Sequence, residues 1–275
     1  IDTYTQQKLT DVLKNKGIQM NVGSEKTDAT TNILVGIKDS GKYVDTYAKN
    51  NVAFDASTFE GTFDPYVLDI QDGVITILGE SSDGAYYGIV SLMHILNQID
   101  GKRVRNLTIN DYADTQTRGF IEGYYGIPWS NEDRMALMEF GGNFKMTSYI
   151  FAPKDDPYHK NLWREEYPQA ELNEIKKMVE VGLASKCRFV WTAHPFMGGF
   201  DANRVDEEIA ALLNKFEQLY AAGVRQFGVL GDDVGNLDRN VVIKMMNAVS
   251  EWGEAKGDVY DPVFCPAGYN HSWQG

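Results

Sequence analysis

The residues best equipped for chemistry are Asp232 and Asp233, adjacent carboxylates directly after the apolar run Gln226–Leu230 and Gly231. Two close carboxylates cannot both ionise freely, so one of a pair should keep its proton, leaving an acid beside a base. Within a strand, neighbouring side chains point to opposite faces, so both can enter one cleft only if the strand has ended there. Gly231 and Gly235 permit the turn this requires. Ordinary retaining glycosidases hold two carboxylates about 5–5.5 Å apart, one of them as nucleophile. Sequence neighbours approach from one side and suit that arrangement poorly. They better suit hydrolysis in which a sugar's own 2-acetamido oxygen attacks C1. One carboxylate would then hold and polarise the acetamide N–H, and the other would protonate the leaving oxygen. The competing reading is a solvated Asp-Asp loop, and the pair alone does not choose between the two.

Further polar clusters occupy comparable places: Glu122-Gly123-Tyr124-Tyr125-Gly126, Ala152-Pro153-Lys154-Asp155-Asp156, Ala193-His194-Pro195 and Ala267-Gly268-Tyr269-Asn270. Lys154 reads either as a donor to ligand hydroxyls or as part of a surface ion-pair cluster of small energetic worth. Asp155 and Asp156 are expected to cap or brace their loop; His194, at a strand end, reads either as lining the cleft or, the expected role, as bracing its own loop. Tyr124, Tyr125 and Trp129 either stack on sugar rings or fill the mouth of the fold. Glu122 needs a partner if it faces inward, a structural ion pair being the expected role, and Arg118, four residues earlier on the same face, is one candidate. The two cysteines, Cys187 and Cys265, fall on apolar strand patterns and are expected to be buried thiols. The four histidines lack any HExxH or paired i, i+4 arrangement, so neither a metal site nor a cofactor is expected.

The hydrophobic pattern shows which elements must position these groups. From Thr117 onward short apolar strands alternate with amphipathic helices. Strands are expected over Arg118–Tyr124, Met146–Phe151, Cys187–Thr192, Gln226–Leu230 and Pro262–Pro266. The helices between them begin at the Ser130 cap and continue with the stripes Leu172–Leu183, Val205–Tyr220 and Val242–Trp252. Repeated βα units require parallel strands, as in a (β/α)8 barrel or a doubly wound sheet, and both place chemistry at the carboxyl ends of the strands. A full barrel needs eight strands, whereas residues 116–275 supply five, which points to part of a longer enzyme rather than an open sheet. Residues 1–115 have a different character. A loose helix over Thr3–Lys14, a strand at Ile33–Ile37 and a hairpin turning at Asp72-Gly73 precede a helix from Gly84 to Ile99, capped by Asp83. A last strand at Val104–Ile109 completes a small α/β domain.

Composition removes several classes of function. The chain of 275 residues carries 39 acidic and 26 basic side chains, a net charge of −13. That balance argues against nucleic-acid binding, which calls for clustered Lys and Arg. No apolar run is long enough to span a bilayer, and two cysteines cannot build a disulfide framework. No basic-then-apolar leader follows Ile1.

Several segments resemble glycoside hydrolase family 84, which holds the O-GlcNAcases and the bacterial enzymes labelled hyaluronidases. Arg118-Gly-Phe-Ile-Glu-Gly-Tyr-Tyr-Gly-Ile-Pro-Trp-Ser130 looks like its opening barrel strand, and Tyr149-Ile-Phe-Ala-Pro-Lys-Asp-Asp-Pro-Tyr-His159 like its lysine segment. Phe227-Gly-Val-Leu-Gly-Asp-Asp-Val234 is similar to its aspartate-pair segment, and Cys265-Pro266, Tyr269-Asn270 and Ser272-Trp273 to its fifth strand end. Asp83-Gly-Ala-Tyr-Tyr-Gly-Ile89 resembles the small hexosaminidase-type α/β domain that precedes the barrel. The chain departs from many members at Ala267-Gly268, where they carry Thr-Glu. The resemblance implies an α/β chain: an N-terminal domain, 1–115, then the first five βα units of an incomplete TIM barrel, 116–275. It implies retaining hydrolysis of terminal β-linked N-acetylglucosamine (GlcNAc) through an oxazoline, without metal. Asp232 would orient the acetamido group, and Asp233 would serve as general acid and then base. Gly123, Lys154 and Tyr269 would bind the sugar. A GlcNAc-bearing glycan or glycoprotein is the implied partner, and an extracellular or cell-surface setting is implied as well. The alternative is a non-catalytic fragment or carbohydrate-binding module that keeps only part of the GlcNAc site.

Overall fold

The structure, a computed structural model, describes residues 1–101, 103–235 and 237–273. It divides into two compact units, Ile1–Arg118 with Asn143–Lys145, and Gly119–Gly142 with Met146–Gly275.

The first unit comprises α1 (Thr3–Asn15), β1 (Asn32–Ile37), α2 (Tyr43–Asn51), β2 (Phe63–Gln71), β3 (Val74–Gly79), α3 (Ser82–Gln98) and β4 (Leu107–Ala113). Its sheet has the order β1-β3-β2-β4, with β1 parallel to β3 and the other pairs antiparallel. The hairpin turns where the Asp-Gly signal lies. Asp72 and Gly73 both take positive φ, 43° and 84°, as a two-residue loop matching the strand twist requires. Helix α3 starts two residues earlier than expected and is capped by Ser81, whose side chain accepts from the Gly84 N–H at 3.2 Å. Asp83 instead lies in the first turn, where its charge complements the helix dipole. Helix α2 was not expected from the sequence. It presents no clear apolar stripe, and the buried Asp45 carboxylate anchors its start by accepting from the N–H groups of Asp39 and Gly41. The core is the layer of Leu68, Ile77, Ile89 and Leu92, all fully buried.

The second unit alternates strictly: β5 (Gly119–Glu122), α4 (Asn131–Gly142), β6 (Ser148–Phe151), α5 (Gln169–Ser185), β7 (Arg188–Ala193), α6 (Val205–Ala221), β8 (Phe227–Leu230), α7 (Arg239–Lys256) and β9 (Val263–Cys265). All neighbouring strands are parallel and lie in chain order, β5-β6-β7-β8-β9. The result is a curled half-barrel, a partial TIM barrel with helices between successive strands. Ser130 and Asp133 close the start of α4 as a reciprocal cap, the Asp133 N–H donating to Ser130 Oγ and that hydroxyl donating to Asp133 Oδ2. Gly119 is demanded by strand pairing, because a Cβ there would lie 1.7 Å from the Ser148 carbonyl oxygen. Trp191, Phe216 and Phe227 interlock in the core, the last two stacked with centroids 4.5 Å apart. Full burial of such side chains contributes roughly 1.5–3 kcal/mol each.

Glu122 is nearly fully buried at the end of β5, but its partner is not Arg118. Strand β5 begins at Gly119, so Arg118 is not on the strand face that the spacing implied; its guanidinium pairs with Asp64 at 2.9 Å. Arg134 of α4 takes its place, with Nε on Oε2 at 2.8 Å and Nη2 on Oε1 at 2.9 Å. Tyr149 Oη and the Trp129 N–H donate to the same carboxylate. With every oxygen satisfied the pair is tolerated in the interior, yet loss of one member strands a buried charge. Arg134→Met is therefore expected to destabilise the unit by about 3–5 kcal/mol in urea unfolding. A loss below about 1 kcal/mol would show that the carboxylate finds another partner.

Candidate active site

The parallel strands run in one direction, each staggered against the last, so that their carboxyl ends share one side of the sheet. Phe151 pairs with Trp191, Trp191 with Phe227, and Leu230 with Cys265. The loops that follow β6, β7, β8 and β9 therefore emerge along one rim, and they carry Lys154, His194, the aspartate pair and Tyr269.

The ladder between β8 and β9 continues through the Gly231 N–H, which donates to the Cys265 carbonyl oxygen at 2.8 Å. Strand β8 itself ends at Leu230, and Asp232 and Asp233 form a turn. Asp233 sits in left-handed backbone with φ 56°, a conformation Asp tolerates better than most side chains. Strand alternation thus no longer separates the two carboxylates. They differ sharply in surroundings: Asp232 is half-buried and Asp233 is exposed.

Asp232 is held by two cationic or donor side chains. Lys154 Nζ lies 3.9 Å from its Oδ2, and His194 Nε2 lies 3.4 Å from its Oδ1. The His194 imidazole and, behind it, the Lys154 charge hold this carboxyl below the usual carboxylate range, against the opposing pull of burial. Oδ1 is enclosed and has no hydrogen-bond partner. Lys154, only 10% exposed at its side chain, also stands over the Tyr125 ring with Nζ 5.3 Å from the centroid. It is a largely enclosed residue of the rim rather than a member of a surface ion-pair cluster.

The loop that carries Lys154 is fixed from beneath. Asp156 accepts from the Tyr158 N–H at 2.8 Å and from Tyr167 Oη at 2.6 Å, and Trp191 Nε1 donates to that same Tyr167 oxygen at 2.9 Å. Burial raises the Asp156 carboxyl above its ordinary range. Lys215 of α6 is fully buried, with Nζ 4.0 Å from the Tyr167 ring centroid and donating to the Glu165 carbonyl oxygen. Burial brings its pKa down to about 8.

Gly123 and Tyr269 stand beyond the carboxyl ends of β5 and β9, the two outer strands, whereas Lys154 and Asp232 meet between them. A Cβ on Gly123 would touch only the Ile121 side chain, at an ordinary 3.5 Å. The fold thus makes no demand for glycine there. Tyr269 is 56% exposed. Tyr124 packs on Trp129 at 5.4 Å between centroids, and its hydroxyl donates to the Ile127 carbonyl oxygen.

Two expectations change. Cys187 is a buried core thiol, its pKa pushed up to about 12 by burial. Cys265 is only half-buried, because β9 is an outer strand; its thiol feels the charges of Asp232, Lys154 and Asp233 and belongs to the rim. His194 does more than brace a loop, since its ring contacts Asp232. That contact joins residues 38 apart in the loops that follow adjacent strands and leaves no local sequence signal. Among the described residues no cluster of three His, Cys, Asp or Glu side chains could hold a metal ion, and no helix is long and apolar enough to cross a membrane.

Comparison with known proteins places this geometry. Residues 118–275 match the family described as beta-N-acetylglucosaminidase, and residues 1–112 match glycosyl hydrolase family 20, domain 2. The solved structure of CpGH84D is 47% identical, with a TM-score of 0.90 over 99% of this chain and 46% of that one. The structure of CpGH84B is 28% identical, with a TM-score of 0.78 over 98% of this chain and 46% of that one. Protein O-GlcNAcase of Rattus norvegicus is 26% identical over 162 residues, which are 55% of this chain and 17% of that protein; the Mus musculus protein matches equally. The chain spans less than half the length of these relatives. With its second unit matched from end to end, the chain belongs to the beta-N-acetylglucosaminidase family, glycoside hydrolase family 84.

Proposed function

We propose that this chain carries the aspartate pair and part of the sugar site of a retaining hydrolase for terminal β-linked N-acetylglucosamine. The observation that carries this reading is the asymmetry of the pair: Asp232 fixed, half-buried and held ionised, and Asp233 exposed. A carboxylate kept ionised accepts the substrate's acetamido N–H and turns the acetamido oxygen toward C1. As that oxygen bonds to C1, the glycosidic C1–O bond breaks and Asp233 gives its proton to the leaving oxygen. Asp233, now a carboxylate, takes a proton from water as the water oxygen bonds C1 and the oxazoline ring opens. Two displacements at C1 return the original configuration. Lys154 would donate to ring hydroxyls, and Tyr269 would bind near the acetamide oxygen. Gly123 would offer its carbonyl oxygen to a sugar hydroxyl, and the absence of any packing reason for glycine there supports that role.

Hydrolysis of an aryl β-N-acetylglucosaminide, followed by proton NMR of the first product, tests the reading. Release of the β-anomer is expected. First release of the α-anomer would overturn substrate assistance. Calorimetric binding of GlcNAc without any turnover would move the assignment to a carbohydrate-binding role, which the half-length match to the solved relatives also fits.

A further inference from the structure

Buried polar atoms are as a rule satisfied. Among the described residues three buried side-chain atoms have no hydrogen-bond partner, and they form one cluster: Nε2 of His159, Nδ1 of His194 and Oδ1 of Asp232. Both histidines are fully buried, their rings edge-to-face with centroids 6.3 Å apart. Their neighbours determine where the hydrogens sit. His159 Nδ1 lies 2.7 Å from the Thr192 carbonyl oxygen, which can only accept, so Nδ1 carries a hydrogen. His194 Nε2 lies 2.9 Å from the main-chain oxygen of Asp232 and 3.4 Å from its Oδ1, again two acceptors, so Nε2 carries a hydrogen. The His194 N–H also donates to the His159 carbonyl oxygen at 2.7 Å, which ties the two residues through the backbone.

A histidine that merely fills its loop has no need to span two oxygens of one distant residue. We propose that His194 is the positioning residue of this site, its Nε2–H hydrogen-bonded to the main-chain oxygen of Asp232 and set 3.4 Å from the carboxylate Oδ1 as a close electrostatic contact, with His159 packed behind as the stop that keeps the imidazole from turning. The clamp turns Oδ1 inward and leaves Oδ2 on the side of Lys154. Its importance for turnover rests on the reading of Asp232 given above; its existence does not.

The titratable and charged groups around the carboxylate are Lys154 from the loop after β6, His159 and His194, the adjoining Asp233, and Cys265 at the end of β9. Burial holds His159 near a pKa of about 4. His194 contributes most to keeping Asp232 low, ahead of Lys154. Loss of the imidazole should therefore raise the proton affinity of Asp232. The acidic limb of any rate that needs it ionised should move to higher pH.

The test starts from the unaltered protein. Long-range proton–nitrogen NMR of the four imidazoles is expected to show His194 with hydrogen on Nε2 and His159 with hydrogen on Nδ1. A bare Nε2 on His194 would overturn the clamp. Carbon NMR of the Asp232 carboxyl then follows its titration in His194→Phe, or in His194→Ala if the phenylalanine variant lacks native near-UV dichroism. Proton affinity is expected to rise about tenfold, the effect of removing a close, partly buried N–H dipole from beside a carboxylate. His194→Gln, with an amide N–H able to replace Nε2–H, should restore most of it. An unmoved titration in a folded variant would assign His194 a packing role only. In activity assays on an aryl GlcNAc glycoside, the acidic limb should shift upward in His194→Phe and return in His194→Gln. A protein with the NMR signature but no turnover would sink the hydrolase reading and leave the clamp standing. An active protein without the signature would do the reverse.

Discussion

Replacing the N-acetyl group of an aryl β-N-acetylglucosaminide by a free amine is expected to lower kcat by about 10⁴-fold or more. An internal nucleophile held against C1 acts with an effective molarity of roughly 10⁵–10⁸ M, and the amine has no carbonyl oxygen to offer. The fixed, ionised Asp232 sharpens this expectation. The glucosamine ammonium would meet a carboxylate already set between His194 and Lys154, so the analogue should bind while failing to react. The measurement is the separation of kcat from KM for the two substrates. Cleavage of the amine within about tenfold of the acetamide would mean that a protein group attacks C1. Substrate assistance would then be wrong, although the family assignment would stand.

The second large effect concerns Asp233. Its removal should cost about 10²–10⁴-fold in kcat/KM on substrates with poor leaving groups, the usual worth of a positioned general acid. The loss should shrink on activated aryl leaving groups, which depart with little protonation. Choice of variant matters here because Asp233 occupies left-handed backbone. Alanine adds strain to the turn, whereas Asn tolerates that conformation nearly as well as Asp. Asp233→Asn therefore removes the acid while keeping the loop, and its dependence on leaving group is the diagnostic. A uniform loss across leaving groups would assign Asp233 to substrate binding instead.

Much of the architecture is legible in local pattern. The Asp72-Gly73 turn, the Ser130 cap and the helical stripes of α5, α6 and α7 each arise from interactions a few residues long, and the structure has each of them. Expectations failed where the deciding partner was distant or the element weak. Asp83 lost the cap to Ser81, one of two polar residues just before it. Arg118 lay beyond the start of β5, so counting back along a strand face misassigned the partner of Glu122. The last strand of the first unit falls at Leu107–Ala113, later than its apolar residues suggested, because antiparallel pairing with β2 sets its limits.

By itself the sequence determined the alternation of strands and helices in the second unit, their parallel arrangement, and which strand ends carry Lys154, the aspartates and Tyr269. Those follow from periodicity, caps and turn residues, which act over short stretches of chain. Only the tertiary structure decided that His194 reaches Asp232, that Arg134 neutralises Glu122, and that Lys154 is drawn off the surface to face Oδ2. The reason is physical: these side chains meet because parallel strands in fixed register bring residues dozens apart to one rim, and a buried charge accepts whichever partner that packing delivers.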